Sequence, residues 1–264
     1  MPILRSFASE AWGRTWRSGL AASLESAIFR EVNSRSTHLV ALCRPPARPA
    51  SPLLRFFQQA VGVAGRGWGL AGFHARRAVY FARLVNSTLD EIHKSLEAVG
   101  KSDSPVILVH AGSGAEQSVS GVPPFLWKEW MLCEDGMSEP ESKMPLSDMK
   151  PFSACRGEWF FMWLIEAARY APEPIEALAE CLRNLRENGL NSSFRFVLSN
   201  GHELWACSVR SARSEPLPLY RSKEHVGWAV SSEPLHEGGR DWAALAEGRL
   251  YVFLPDGSSK ELVL

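Results

Sequence analysis

The chain has 264 residues, is 45% hydrophobic and 22% charged, and so carries enough apolar surface for one large globular, soluble domain or two small ones. Lys+Arg and Asp+Glu both number 29, and the basic residues are scattered, so no net field recruits nucleic acid. No apolar run reaches the roughly 18 residues needed to span a bilayer, which excludes a helical membrane anchor. The five cysteines, Cys43, Cys133, Cys155, Cys181 and Cys207, are odd in number and form no Cys-x-x-Cys pair. Buried thiols in a reducing cytoplasm are therefore expected, with no disulfide framework, no metal site and no cofactor.

In chain order, residues 1–36 stand apart. They carry Trp12, Trp16, five arginines and three glutamates, with neither the apolar core of a secretion signal nor the acid-free composition of a transit peptide. A helical arm or sequence upstream of the true start is preferred to a removable propeptide. Thr37-His38-Leu39-Val40-Ala41-Leu42-Cys43 is a short apolar run ended by a proline-rich stretch, which predicts a strand buried on both faces. Leu53, Leu54, Phe57, Ala60 and Val61 share one helical face over Pro52–Val63. The glycine-punctuated stretch Gly65–Phe73 and the run Ala78–Ala82 read as a hairpin. Ser87–Val99 reads as a capped helix, and Pro105–His110 as a central strand.

From Gly112 to Met149 the composition turns to Ser, Gly, Pro and Glu, interrupted by Phe125–Leu132. A strand or two among surface loops is expected there. Trp159–Tyr170 and Pro174–Asn188 are helical by length and pattern, the second ending at Asn188-Gly189 as a C-cap. Strands close the chain, over the stretch from Ser193 to Ala206, through Leu219-Tyr220 and Trp228–Leu235, to Trp242 and Gly248–Phe253. Strands, then helices, then strands, without βαβ alternation, argue against a doubly wound parallel sheet.

The closing order, from Phe194-Arg195-Phe196-Val197-Leu198-Ser199-Asn200-Gly201 through Ser232-Glu233-Pro234-Leu235 to Tyr251-Val252-Phe253, resembles small class II glutamine amidotransferases. These are N-terminal-nucleophile hydrolases. The resemblance extends over residues 37–264 and implies an α+β fold, a four-layer αββα sandwich of two antiparallel sheets between helical layers. It matches the family's glycine-tryptophan-glycine strand to Gly67-Trp68-Gly69 and the family's catalytic cysteine, residue one of the mature chain, to Thr37. The histidine-arginine strand end falls on His110-Ala111-Gly112, which keeps the histidine and loses the arginine. The proline-phenylalanine loop falls on Pro123-Pro124-Phe125, and the oxyanion asparagine-glycine on Asp135-Gly136. The acid that meets the substrate ammonium falls on Arg156.

These matches nominate Thr37, Asp135 and Gly136 as catalytic candidates and His110, Gly112 and Arg156 as substrate-binding candidates. Their chemistry argues against glutamine hydrolysis. An internal threonine has no free amine to act as base, an ionised aspartate accepts hydrogen bonds and cannot donate them to an oxyanion, and both charges that would recognise the glutamine zwitterion are absent or reversed. The expected protein is class II amidotransferase-like and degenerate for that reaction. The alternatives are a non-catalytic binding or regulatory subunit with a protein partner, or an amidase that uses Thr37 after removal of residues 1–36. Arg156 beside His110, with the space left at Gly112, favours a small anionic ligand, Asp135 opposing it.

Overall fold

The computed structural model describes residues 37–45, 68–74, 77–83, 94–95, 104–112, 122–223, 227–234 and 241–264. The predicted arm 1–36, the predicted helix 52–63 and all of the predicted helix 87–99 except the helical pair Lys94 and Ser95 lie outside those residues.

Two antiparallel sheets form the body. The first has seven strands: β1 (His38–Cys43), β2 (Trp68–His74), β3 (Arg77–Arg83), β4 (Val106–Ala111), β9 (Tyr220–Lys223), β10 (Trp228–Ser231) and β11 (Ala243–Ala244), in the order β11-β9-β10-β1-β4-β2-β3. The second has six: β5 (Phe125–Trp127), β6 (Trp130–Asp135), β7 (Phe194–Ser199), β8 (Leu204–Val209), β12 (Arg249–Phe253) and β13 (Ser259–Val263), in the order β13-β12-β8-β7-β6-β5. As the unbroken apolar runs require, β1 and β4 are neighbours in the middle of their sheet, and every residue of both is buried. The β2–β3 hairpin pairs Trp68 with Arg83 and His74 with Arg77.

Leu39, Ala41, Cys43, Val106 and Leu108 from the first sheet meet Met131, Cys133, Val197, Ala206 and Phe253 from the second, which forms the inter-sheet core. Val40, Leu42, Ile107 and Val109 alternate with them and are also buried, so the first sheet is covered on both faces, as the four-layer αββα sandwich demands. The second sheet turns Phe194, Phe196, Leu198, Trp205, Leu250 and Val252 toward helices α1 (Arg156–Ala168) and α2 (Pro174–Glu187). Phe160 of α1 meets Phe194 and Phe196 edge-on, with ring centroids 5.5 Å apart in both pairs. Helix α1 begins three residues before the predicted start, because Glu158 draws the chain into the helix from inside its first turn: its carboxylate accepts the N–H groups of Phe152 and Ser153 at 3.0 and 2.7 Å. Helix α2 ends as predicted, with Asn188 as C-cap and Gly189 at φ +74°.

Between β6 and α1 the chain makes only one 3-10 turn, Glu141–Lys143, and is held by side chains instead. Glu139, fully buried, accepts N–H groups from Asn191 and Ser192 and pairs with Lys143 at 2.9 Å. Burial alone would raise its pKa, but these donors outweigh burial and hold the carboxyl below the usual range. Glu166 of α1 accepts from Ser147, Asp148 and Met149 in the same way.

Phe160→Ala removes the ring on which the helical layer seats. We expect a loss of about 3–5 kcal/mol, read from urea unfolding monitored by circular dichroism, with an unchanged m-value.

Candidate functional site

One end of the sandwich gathers Thr37, His110, Gly112, Asp135 and Gly136, and the residue that joins them is Arg195. Strand β7 turns Phe194, Phe196 and Leu198 to the helices, so Arg195 points between the sheets, where it is 7% exposed. Its guanidinium donates five hydrogen bonds. Nε and Nη2 reach Oδ2 of Asp135 at 3.1 and 2.9 Å. Nη1 reaches the carbonyls of Pro218 and Ser232 at 2.9 and 3.2 Å, and Nη2 reaches the carbonyl of Thr37 at 3.0 Å. A guanidinium has five N–H groups, and all of them are used.

The acceptors are fixed by their own neighbours. Ser232 extends the β1–β10 pairing by donating its N–H to the Leu39 carbonyl at 2.9 Å and accepting the Leu39 N–H on its hydroxyl at 3.1 Å. Next to it, Glu233 meets Nδ1 of His38 at 2.5 Å. The Ser232-Glu233-Pro234 stretch therefore holds the start of β1, and with it Thr37. The carbonyl of Leu217, just before Pro218, is bound by the hydroxyl of Ser208 at 2.7 Å. Gly136 follows Asp135 at φ +87°, and a side chain there would collide with Leu217, so both conformation and space demand glycine.

His110 lies opposite Leu39 in β1 and Gly69 in β2. A side chain at Gly69 would strike the carbonyl of Pro123, so the glycine-tryptophan-glycine strand and the proline loop meet beside the histidine. Burial, then the charges of His38 and Arg195, pushes the His110 pKa down to about 3, and its Nδ1 has no hydrogen-bond partner among the described residues. His110, a substrate-binding candidate by its motif position, is thus a buried residue of the core.

Three expectations change. Gly112 does not leave room for a ligand, because a Cβ there would stand 3.0 Å from the His110 ring and 3.2 Å from Thr37. Arg156 does not join the cluster: it is exposed, and its guanidinium donates to the carbonyls of Ser138 and Glu139 at 3.2 and 3.0 Å. Asp135 pairs with Arg195. With Arg156 committed elsewhere, the grounds for a small anionic ligand between Arg156 and His110 are gone. Neither adjacent acid is a free surface charge, since Glu134 accepts the Met137 N–H at 3.1 Å and packs against Gly157.

Burial disfavours the thiolates of Cys43, Cys133, Cys181 and Cys207. Cys43 donates to the Phe253 carbonyl and burial raises it to about 12, while burial raises Cys133 and Cys207 as well. Among the described residues no group of His, Cys, Asp and Glu has the arrangement to hold a metal, and no helix is long and apolar enough to cross a membrane.

Sequence reasoning missed Arg195 as a site residue. The available signal was a lone charge on the alternate face of an otherwise apolar strand, a position that a folded protein tolerates only with partners.

Solved structures decide the architecture. The chain is similar to a class II glutamine aminotransferase domain protein from Silicibacter pomeroyi, with 21% identity over 86% of this chain and 98% of that one and a TM-score of 0.61. The chain has the class II glutamine amidotransferase fold. Glutamine phosphoribosylpyrophosphate amidotransferase from B. subtilis matches with 12% identity and a TM-score of 0.62 over 86% of this chain, which spans about half (49%) of that larger enzyme. A predicted glutamine amidotransferase from Pseudomonas aeruginosa matches with 16% identity and a TM-score of 0.51 over 86% and 96% of the two chains. No protein-family model matches the sequence, and no curated protein is significantly similar to it. On the class II fold, the Arg195 cluster lies among Thr37, Asp135 and Gly136, the positions that the motif matches single out.

Arg195→Met leaves the Asp135 carboxylate and three carbonyls facing an apolar chain. It is expected to cost about 3–5 kcal/mol. Asp135→Asn keeps an acceptor and should cost clearly less, with both measured by urea unfolding. A milder effect of Arg195→Met than of Asp135→Asn contradicts the assignment of Arg195 as the centre of the cluster.

His110 stays neutral in the folded protein well below the usual value of 6.5. The unfolded chain therefore takes up the proton first as pH falls, so the contribution of His110 is complete above about pH 6.5 and declines below it by roughly 1.4 kcal/mol per unit. The expected result is an imidazole signal that does not titrate by NMR between pH 7.5 and 5, and a shallower loss of stability over that range in His110→Gln.

Proposed function

We propose that this protein is a non-catalytic member of the class II amidotransferase fold and does not hydrolyse glutamine. One observation carries the reading: the Arg195 guanidinium stands among Thr37, Asp135 and Gly136 with every N–H bound inside the chain. Glutamine hydrolysis on this fold needs a nucleophile, a base, and donors aimed at a developing oxyanion. Thr37 supplies a hydroxyl in place of a thiol, its nitrogen is in a peptide bond to Ser36, and its carbonyl is held by Arg195. Asp135 accepts two bonds from Arg195 and gives none to an oxyanion. Burial raises the thiols of Cys43, Cys133, Cys181 and Cys207 and so disfavours their thiolates.

What such a protein retains is a rigid two-sheet body, and its role is binding or regulation, as a cytoplasmic subunit acting through a protein partner. An amidase using Thr37 after removal of residues 1–36 is the less favoured reading, since a free amine at Thr37 would still adjoin a carbonyl locked to Arg195.

The decisive assay is ammonia release from glutamine by the purified protein and by Thr37→Cys. Both are expected at the level of the buffer blank, because restoring the thiol leaves Arg195 and Asp135 in place. Loss of one oxyanion donor alone costs about a hundredfold or more in rate. Thiol-dependent ammonia release by either protein at a turnover of about 1 per second or faster, typical of enzymes, overturns the reading.

A further inference from the structure

We propose that the acceptors around Arg195 constitute a binding site for a small guanidinium cation, which the chain fills with its own side chain. The wall contains one carboxylate, Asp135, and three carbonyls, those of Thr37, Pro218 and Ser232. It offers acceptors to a cation and repels an anion. An ammonium brings three donors from a single nitrogen, whereas a guanidinium spreads five N–H groups in a plane, and this wall engages all five of them.

The site does not owe its form to the side chain that occupies it. Arg195 leaves the backbone on β7, but its acceptors come from four other segments, at sequence separations of 158, 60, 37 and 23 residues. Each segment has its own support: the β1–β10 pairing with Ser232 for Thr37, β6 for Asp135, and the Ser208–Leu217 bond beside Pro218. Shortening Arg195 to alanine removes ethylguanidinium from the interior and leaves the acceptors where the strands hold them. The second observation is the neighbouring His110, whose buried Nδ1 has no partner among the described residues and whose depressed pKa keeps it from adding a competing positive charge.

The inference rests on the reading that this end of the sandwich is closed to glutamine, but the two fail separately. Glutaminase activity in the wild type would sink the first, and the experiment here reads only cation binding.

Arg195→Ala is titrated with ethylguanidinium and followed by thermal unfolding and calorimetry. The expected result is saturable binding in the roughly millimolar range, with a rise in Tm that grows with ligand concentration and is absent from the wild type. Ethylammonium should bind at least about tenfold more weakly, and Asp135→Asn in the same background should weaken ethylguanidinium by about tenfold or more. Neutral ethylurea should not bind. A folded Arg195→Ala that ignores ethylguanidinium, or that takes ethylammonium equally well, overturns the proposal. Should Arg195→Ala fail to fold, the wild-type protein decides by NMR of its arginine side chains. Separate, slowly exchanging Nη signals for Arg195 support a saturated guanidinium site, and a single averaged signal exchanging with water overturns it.

Discussion

A guanidinium cannot enter a protein interior without partners for its charge and its five donors. Placing Arg195 between two sheets therefore imposes conditions on four distant segments at once. Asp135 must end β6 on the inner face, the β1–β10 pair must run on to Ser232 so that its carbonyl and that of Thr37 face inward, and the stretch before Leu219 must bring Pro218 across the end of the sheets. Gly136 follows from the same demand, since the turn after Asp135 passes Leu217 too closely for any side chain. The sandwich is closed at this end by saturated polar contacts, whereas farther in, Leu39, Val197 and Ala206 close it by apolar packing.

The helical side solves a different problem by related means. About twenty residues separate β6 from α1 with almost no regular structure, and their backbone N–H groups need acceptors. Glu139, Glu158 and Glu166 provide them, each binding two or more N–H groups of this stretch or of the loop after α2. Arg156 belongs to the same system, donating to two carbonyls of the stretch, which is why its charge is unavailable to the cluster between the sheets. Glu139, Arg156, Glu158, Glu166 and Arg195 thus all serve as intramolecular hydrogen-bond partners.

The amino-acid sequence by itself determined the elements. Unbroken apolar runs specified β1 and β4 as central strands and the Asn188-Gly189 pair specified the end of α2, because these signals are local and repeat with the period of the backbone, whereas the two-sheet body was implied only by the resemblance to class II amidotransferases. At the positions that the resemblance matches, it also places Thr37, Asp135 and Arg156 where the family has a cysteine, an asparagine and an acid. Tertiary structure decided where each charge is used. Arg156 and Arg195 look equivalent in one dimension, each a lone cation beside hydrophobic residues. Only the packing of β7 between β6 and β8 turns one of them inward against Asp135, while the start of α1 leaves the other at the surface. Gly112 likewise reads as vacant space in the sequence and is filled in the fold by Thr37 and His110. A hydrogen bond between residues 158 positions apart has no local signal, because its energy depends on where two sheets place their ends.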